Sequence, residues 1–134
     1  MSKISVFIAE DHTILRQSLV ILFSQQAHIQ VVGEAADGQD AYRKIISLKP
    51  DIAILDISIP QLNGIDLAAK LRQEAPEIKV IILTMHKSED FVTRALRAGV
   101  QGYVLKDNAL EELIKCIETV YHGHIYLSQS VTQL

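Results

Sequence analysis

Short apolar runs alternate with helical periodicity along this chain. Residues 4–9, 30–33, 52–55, 80–83 and 102–105 predict five strands. Four of them are rich in Val or Ile and nearly unbroken, as strands covered on both faces are. The last, Gly102-Tyr103-Val104-Leu105, is the shortest. The intervening segments carry apolar residues at i, i+3, i+4 spacing, which predicts helices. Leu15, Leu19, Leu22 and Phe23 share one face of the first, and Ala41, Ile45 and Leu48 of the second. Leu67 and Leu71 mark the third, and Phe91, Ala95 and Leu96 the fourth. The fifth is the cleanest, with Leu110, Leu113, Ile114, Ile117 and Tyr121.

Punctuation agrees with these limits. Pro50-Asp51 separates the second helix from the third strand, because the residue before proline disfavours helix. Gly99 and Gly123 stand where helix C-termini need a positive φ. Ser88 and Asn108 are expected to cap the fourth and fifth helices. Strict β–α alternation implies an α/β fold with parallel strands, right-handed crossovers and helices on both faces. A doubly wound five-stranded sheet in the order 2-1-3-4-5, with five helices, satisfies the pattern. Such sheets bind ligands beyond the carboxyl ends of their strands, at the switch point of strand order. Residues 1–122 read as one domain, and residues 123–134 as a tail or the start of a linker.

Composition narrows the possibilities. With 134 residues, 49% apolar and 22% charged, the chain can bury a globular core. A net charge of -3 supplies no field to attract nucleic acid to this segment by itself. No apolar run reaches membrane length, and the first run is cut off by Glu10-Asp11 before it could serve as a signal peptide. Cys116 stands alone, so no internal disulfide can form, and a cytoplasmic protein fits these features.

The candidate chemistry lies at the strand ends. Glu10, Asp11 and Asp56 put three carboxylates at neighbouring ends, and Thr84 and Lys106 close two further strands. Like charges at about 4 Å repel by about 4 kcal/mol per pair in an effective dielectric of 20, so an offset is needed. A hard divalent cation supplies one, and an all-oxygen set suits Mg2+. Lys106 adds a compact positive charge and Thr84 a hydroxyl donor. Together these groups form a receptacle for a phosphoryl group, with one Asp as nucleophile. Asp56, alone at the end of the central strand, is the better nucleophile, and Glu10-Asp11 are better placed to hold metal.

At these residues the chain resembles a response-regulator receiver domain of two-component signalling. The matching stretches are Glu10-Asp11-His12, residues 50–60 around Asp56, Asn63-Gly64, Leu83-Thr84 and residues 99–106. The combination of Glu-Asp-His, Gly-Tyr-Val-Leu-Lys-Asp and Gly-His-Ile-Tyr-Leu-Ser is similar to the NarL/FixJ (LuxR-type) branch of transcriptional regulators. The resemblance implies the flavodoxin-like (CheY-like) fold. It implies that Asp56 accepts a phosphoryl group from a sensor histidine kinase. It also implies that Asp11 and Asp56 bind Mg2+ directly with the backbone carbonyl of Ser58, while Glu10 acts through water. Thr84 and Lys106 would contact the phosphoryl group, and Tyr103 would swing inward when Thr84 moves. Ser58 and Met85 occupy positions that tune dephosphorylation rate in the family. Such a domain catalyses only its own phosphotransfer and dephosphorylation. The branch carries a C-terminal helix-turn-helix domain that binds DNA, to which the tail would lead, and homodimers are plausible for it. One departure stands out: the family often has proline, in a cis bond, after the lysine, and here Asp107 follows. A cis bond without proline costs about 3 kcal/mol, which leaves the geometry of this loop open.

Other readings compete. An aspartate-nucleophile phosphatase of the haloacid-dehalogenase type needs a second acid two residues after the nucleophile, and Ser58 stands there. A flavodoxin-like cofactor binder needs a phosphate-cradling loop after the first strand, where Glu10-Asp11 would repel phosphate. A receiver that is never phosphorylated, acting as an interaction module, is the remaining alternative. In the favoured reading, phosphorylation biases a two-state surface on the fourth helix, fifth strand and fifth helix. Among the histidines, His12 is expected to face solvent, and His86 to lie near enough to influence access. His122 and His124 lack a third ligand nearby, and Cys116 is expected to be a packed or half-exposed thiol.

Overall fold

The computed structural model describes residues 3–132. Residues 1–2, and residues 133–134 of the predicted tail, lie outside them. The elements in order are β1 (Ile4–Ala9), α1 (Thr13–Ser24), β2 (Ile29–Ala35), α2 (Gly38–Leu48), β3 (Ile52–Asp56), α3 (Gly64–Glu74), β4 (Lys79–Thr84), α4 (Glu89–Arg97), β5 (Gly102–Leu105), α5 (Ala109–Tyr121), β6 (Tyr126–Leu127) and α6 (Gln129–Thr132). The strands form one sheet in the order β2-β1-β3-β4-β5-β6, and every pairing is parallel. The order 2-1-3-4-5 is therefore present. The stretch expected to be tail adds a sixth strand and a short sixth helix, which periodicity over so few residues could not reveal.

Side-chain alternation along the strands divides the core into two layers. Phe7, Ala9, Ala53, Leu55, Val80, Ile82, Tyr103 and Leu105 point to the face covered by α2, α3 and α4, where Ala41, Ile45, Leu67, Leu71 and Ala95 meet them. Val6, Ile8, Ile52, Ile54, Ile81, Leu83 and Val104 point to the other face, against Leu19 and Phe23 of α1 and Leu113, Cys116 and Ile117 of α5. All five residues of β3 are buried, as its unbroken apolar run requires.

Several expectations are corrected in detail. β2 is longer than residues 30–33, because Glu34 and Ala35 continue the pairing along Ile8 and Ala9. In α5 the inward face is centred on Leu113, Cys116, Ile117 and Val120, which leaves Leu110 and Tyr121 exposed. Leu96 of α4 and Leu48 of α2 are exposed as well. Ser88 caps α4 by accepting from the Phe91 N–H at 3.4 Å. Asn108 does not cap α5: its φ of -115° and ψ of 11° are not the extended conformation of a capping residue. Asp37 and Asn63 do cap, accepting from the N–H groups of Asp40 at 2.8 Å and Asp66 at 2.9 Å. Gly99 and Gly123 have φ of 93° and 91°, two residues past the ends of α4 and α5. The Cys116 thiol is fully buried, and burial pushes its pKa up.

Candidate functional site

The register of the parallel strands builds the site. Ala9 pairs with Leu55, so Glu10 and Asp56 follow one another across the β1–β3 seam. Asp56 pairs with Leu83, and Thr84 with Leu105. Glu10, Asp56, Thr84 and Lys106 therefore emerge at one edge, flanking the point where the order turns from β1 toward β2 on one side and β3 on the other. One ligand atom from each of Glu10, Asp11, His12 and Asp56 lies within 4.8 Å of the others.

Burial and charge are unevenly shared there. Glu10 is 1% exposed and Asp56 2%, while Asp11 is exposed. Lys106 spans the cluster, with Nζ 3.1 Å from Asp56 Oδ2 and 3.0 Å from Glu10 Oε1. It donates a hydrogen bond to Glu10 Oε2 at 3.2 Å. Glu10 Oε1 contacts the ammonium as an ion pair only, and is a buried carboxylate oxygen without a hydrogen bond. Burial pushes the Glu10 carboxyl above its ordinary pKa, and the nearby Asp56 charge adds to this. The bonds from the His12 N–H and Lys106 offset only part of the shift. Burial pulls the Lys106 ammonium down, but the bonds and charges of Glu10 and Asp56 together outweigh it and its pKa is raised.

The surrounding groups complete the frame. The Ser58 N–H donates to Asp56 Oδ1 at 3.2 Å. Gly64, at the start of α3, packs so closely that a Cβ there would lie 2.4 Å from the Asp56 carbonyl oxygen. Thr84 is fully buried, and its hydroxyl accepts from the His86 N–H at 3.1 Å. Tyr103 is fully buried too; its hydroxyl donates to the His86 carbonyl, and burial pushes its pKa to about 12. Met85 is exposed beside Thr84. His12 has an exposed ring, as expected, yet its Nδ1 lies 3.1 Å from Glu10 Oε2 and 3.2 Å from Lys106 Nζ. No peptide bond is cis among the described residues, and Lys106–Asn108 forms a 3₁₀ turn.

Glu10, Asp11, Asp56, Ser58, Thr84, Met85, Tyr103 and Lys106 all lie at or beside this edge, whereas Cys116 lies in the core and His122 and His124 follow α5. Sequence reasoning missed the stack of His86 on Phe91, with ring centroids 4.2 Å apart. That stack sets His86 Nε2 3.5 Å from Ser58 Oγ. The spacing of His86 and Phe91 straddles a loop and a helix start, so no single period links them. The donor set fits a hard cation: carboxylates dominate, and the buried Glu10 Oε1 accepts no hydrogen bond. His122 and His124 join no such group among the described residues. A cleft of about 390 Å³ between β2 and α2, lined by Gly33, Arg43 and Leu48 among others, contains none of these residues. The chemistry therefore sits on an open edge and outside this cleft.

A parallel α/β sheet with three acids, a hydroxyl and a lysine at its carboxyl edge defines a receiver-type fold. The family model described as "Response regulator receiver domain" matches residues 6–118, and the chain belongs to that family. Among curated relatives, it is 37% identical over 128 residues to "Oxygen regulatory protein NreC" of Staphylococcus epidermidis, covering 95% of this chain and 59% of that protein. The chain thus spans about three fifths of the length of the curated relatives it matches. A LuxR-family response regulator from Aurantimonas sp. SI85-9A1 superposes with a TM-score of 0.93 at 32% identity, covering 98% of this chain and 94% of that one. The signal receiver domain of the putative response regulator NarL from Mycobacterium tuberculosis gives 0.89 at 31% identity, covering 92% and 100%. No helix among the described residues is long and apolar enough to cross a membrane.

Proposed function

We propose that this chain is the phosphorylation-controlled switch of a cytoplasmic two-component system. Asp56 is its acceptor and a sensor histidine kinase its donor. The Asp56 carboxylate attacks phosphorus, the bond from phosphorus to the kinase imidazole breaks, and an aspartyl phosphate forms. The observation that carries this reading is the buried Asp56 carboxylate, bonded to Lys106 at 3.1 Å and to the Ser58 N–H at 3.2 Å. These two donors hold and orient the carboxylate while Lys106 balances incoming negative charge. Asp11, Asp56 and the Ser58 carbonyl would hold Mg2+, with Glu10 acting through water. The ion supplies charge neutralisation for the transferring oxygens. Thr84 and Tyr103 report the change. Ser58 and Met85, exposed at the rim, set how readily water reaches the phosphoryl group. The domain processes only its own phosphoryl group. Ser58 cannot serve as the second acid of a turnover phosphatase.

The wider role follows from the relatives. One similar structure is titled a DNA-binding response regulator of the LuxR family, from Staphylococcus aureus, at 35% identity. By analogy, residues 123–134 lead from the receiver toward a helix-turn-helix domain, through which a full-length protein would regulate transcription. Homodimerisation would pair two such domains on DNA. The test is incubation with acetyl phosphate and Mg2+, followed by intact mass. A gain of one phosphoryl group that Asp56→Ala abolishes is expected, and an unchanged mass in the parent protein refutes the reading.

A further inference from the structure

The residues after α5 do not trail from the domain; they are clamped to it. The Tyr126 N–H donates to the Gln101 carbonyl and the Ser128 N–H to the Tyr103 carbonyl, each at 2.9 Å. Ser128 is fully buried. Its hydroxyl accepts from the Leu105 N–H at 3.0 Å and donates to Glu112 Oε2 at 3.2 Å. The Tyr126 hydroxyl donates to Glu112 Oε1 at 2.7 Å. One carboxylate in the first turn of α5 thus holds Tyr126 of β6 and Ser128 just beyond it. Leu127 and Val131 then sink into the layer that contains Tyr103, Ala95 and Val100.

The location matters more than the clamp itself. β6 lies along β5, opposite Gly102 and Tyr103. Its Ser128 grips the Leu105 amide, one residue before Lys106. Tyr103 bonds the His86 carbonyl, and the His86 N–H bonds Thr84. An unbroken series of contacts therefore runs from Thr84 through His86 and Tyr103 to residues 126–132. The outer edge of β5, which a separate partner would otherwise pair with, is filled by this chain's own backbone.

We propose that residues 126–132 are the reader of the phosphorylation site. In this role they form a strap in cis that senses β5 at Tyr103 and Leu105 and is kept in register by Glu112. This rests on the function proposed above, and it assigns Glu112, Tyr126 and Ser128 as positioning residues. A shift of Tyr103 or of the Lys106 turn changes the seat of Leu127 and Ser128, and so changes how firmly the strap is held.

The experiment is amide hydrogen exchange on this chain, read by mass spectrometry, with and without acetyl phosphate and Mg2+. Intact mass is recorded on the same samples. In the parent protein, phosphorylation is expected to change exchange at the Tyr126 and Ser128 amides, which bond to β5 and the residue before it, by about tenfold, the scale of one hydrogen bond made or lost. Ser128→Ala and, separately, Glu112→Gln are expected to raise exchange there about tenfold before phosphorylation. Both variants should still gain the phosphoryl mass but no longer show the phosphorylation-dependent change. Tyr126→Phe, which deletes only one hydroxyl, should fall between. Full phosphorylation of the parent with unchanged exchange across residues 126–132 overturns the strap and leaves the acceptor reading standing. Retention of the phosphorylation-dependent change in both Ser128→Ala and Glu112→Gln overturns the role of the clamp. No mass gain in the parent overturns both readings.

Discussion

Replacing Lys106 with methionine removes a charge from between two buried carboxylates while keeping most of the side chain's length. Lys106 Nζ lies 3.0 Å from Glu10 and 3.1 Å from Asp56. At an effective dielectric of 20, each contact is a gross attraction of about 5.5 kcal/mol. Most of that is offset by the cost of desolvating the ammonium. What does not cancel is the state left behind. Glu10 and Asp56 remain 1% and 2% exposed, with donor atoms within 4.8 Å. Their repulsion at that separation is about 3.5 kcal/mol. Removing one partner from a buried pair costs about 3–5 kcal/mol in general. Glu10 can take up a proton, since its carboxyl already lies above its ordinary value, and this limits the loss. Lys106→Met is therefore expected to lower the unfolding free energy by about 3 kcal/mol at pH 7 in EDTA. Saturating Mg2+ should recover more stability in the variant than in the parent, because the ion no longer competes with an ammonium. At a hundred times its dissociation constant, a ligand adds about 2.7 kcal/mol. Urea titrations with EDTA and with Mg2+ measure both. A loss under about 1 kcal/mol in EDTA would refute the reasoning, because buried carboxylates this close cannot be left unbalanced so cheaply.

Two further outcomes follow from the same geometry. The raised pKa of Glu10 means that the folded chain binds this proton more tightly than the unfolded chain. Its contribution to stability therefore grows as pH falls from neutrality through the raised value toward 4.5, and is lost as pH rises. The parent should gain stability relative to Glu10→Gln over that fall; a parallel pair of pH curves would contradict it. Gly64→Ala places a methyl group 2.4 Å from the Asp56 carbonyl oxygen and 3.0 Å from Ile57 Cα. A loss of about 1–3 kcal/mol in thermal or urea unfolding is expected, with slower phosphorylation by acetyl phosphate. An unperturbed variant would show that the start of α3 does not fix the end of β3.

The strands were legible because most are buried on both faces, and that leaves an apolar run with no competing period. The site was legible for a related reason. Polar residues that directly follow such runs must lie at the sheet edge, and the parallel order brings those edges together. What stayed hidden depends on contacts between distant segments. Leu110 continues the apolar spacing of α5 perfectly, yet it is 56% exposed, because the helix seats on Leu113, Cys116 and Ile117. Tyr126-Leu127 is too short to show alternation, and its strand identity comes from the edge of β5. The bond from Ser128 to Glu112 joins residues 16 apart and has no local signature. His12 looked like a solvent residue from its neighbours, yet its ring meets Glu10 two residues back and Lys106 from 94 residues away.

The order in which the chain is made gives the Lys106 bridge a further meaning. Lys106 and Glu10 are separated by 96 positions, and Lys106 and Asp56 by 50. β1, β2 and β3 are neighbours in the sheet, so a growing chain can pair them once residue 56 has emerged from the ribosome. At that stage the carboxylates are already together, but the cation that balances them has not been synthesised. Loop closure over such distances is slow compared with local helix formation. Until β5 docks, this chain's own side chains offer those carboxylates no such cation, and only a bound ion can balance them. The lysine that balances Asp56 therefore reaches the site only with the last strand of the main sheet.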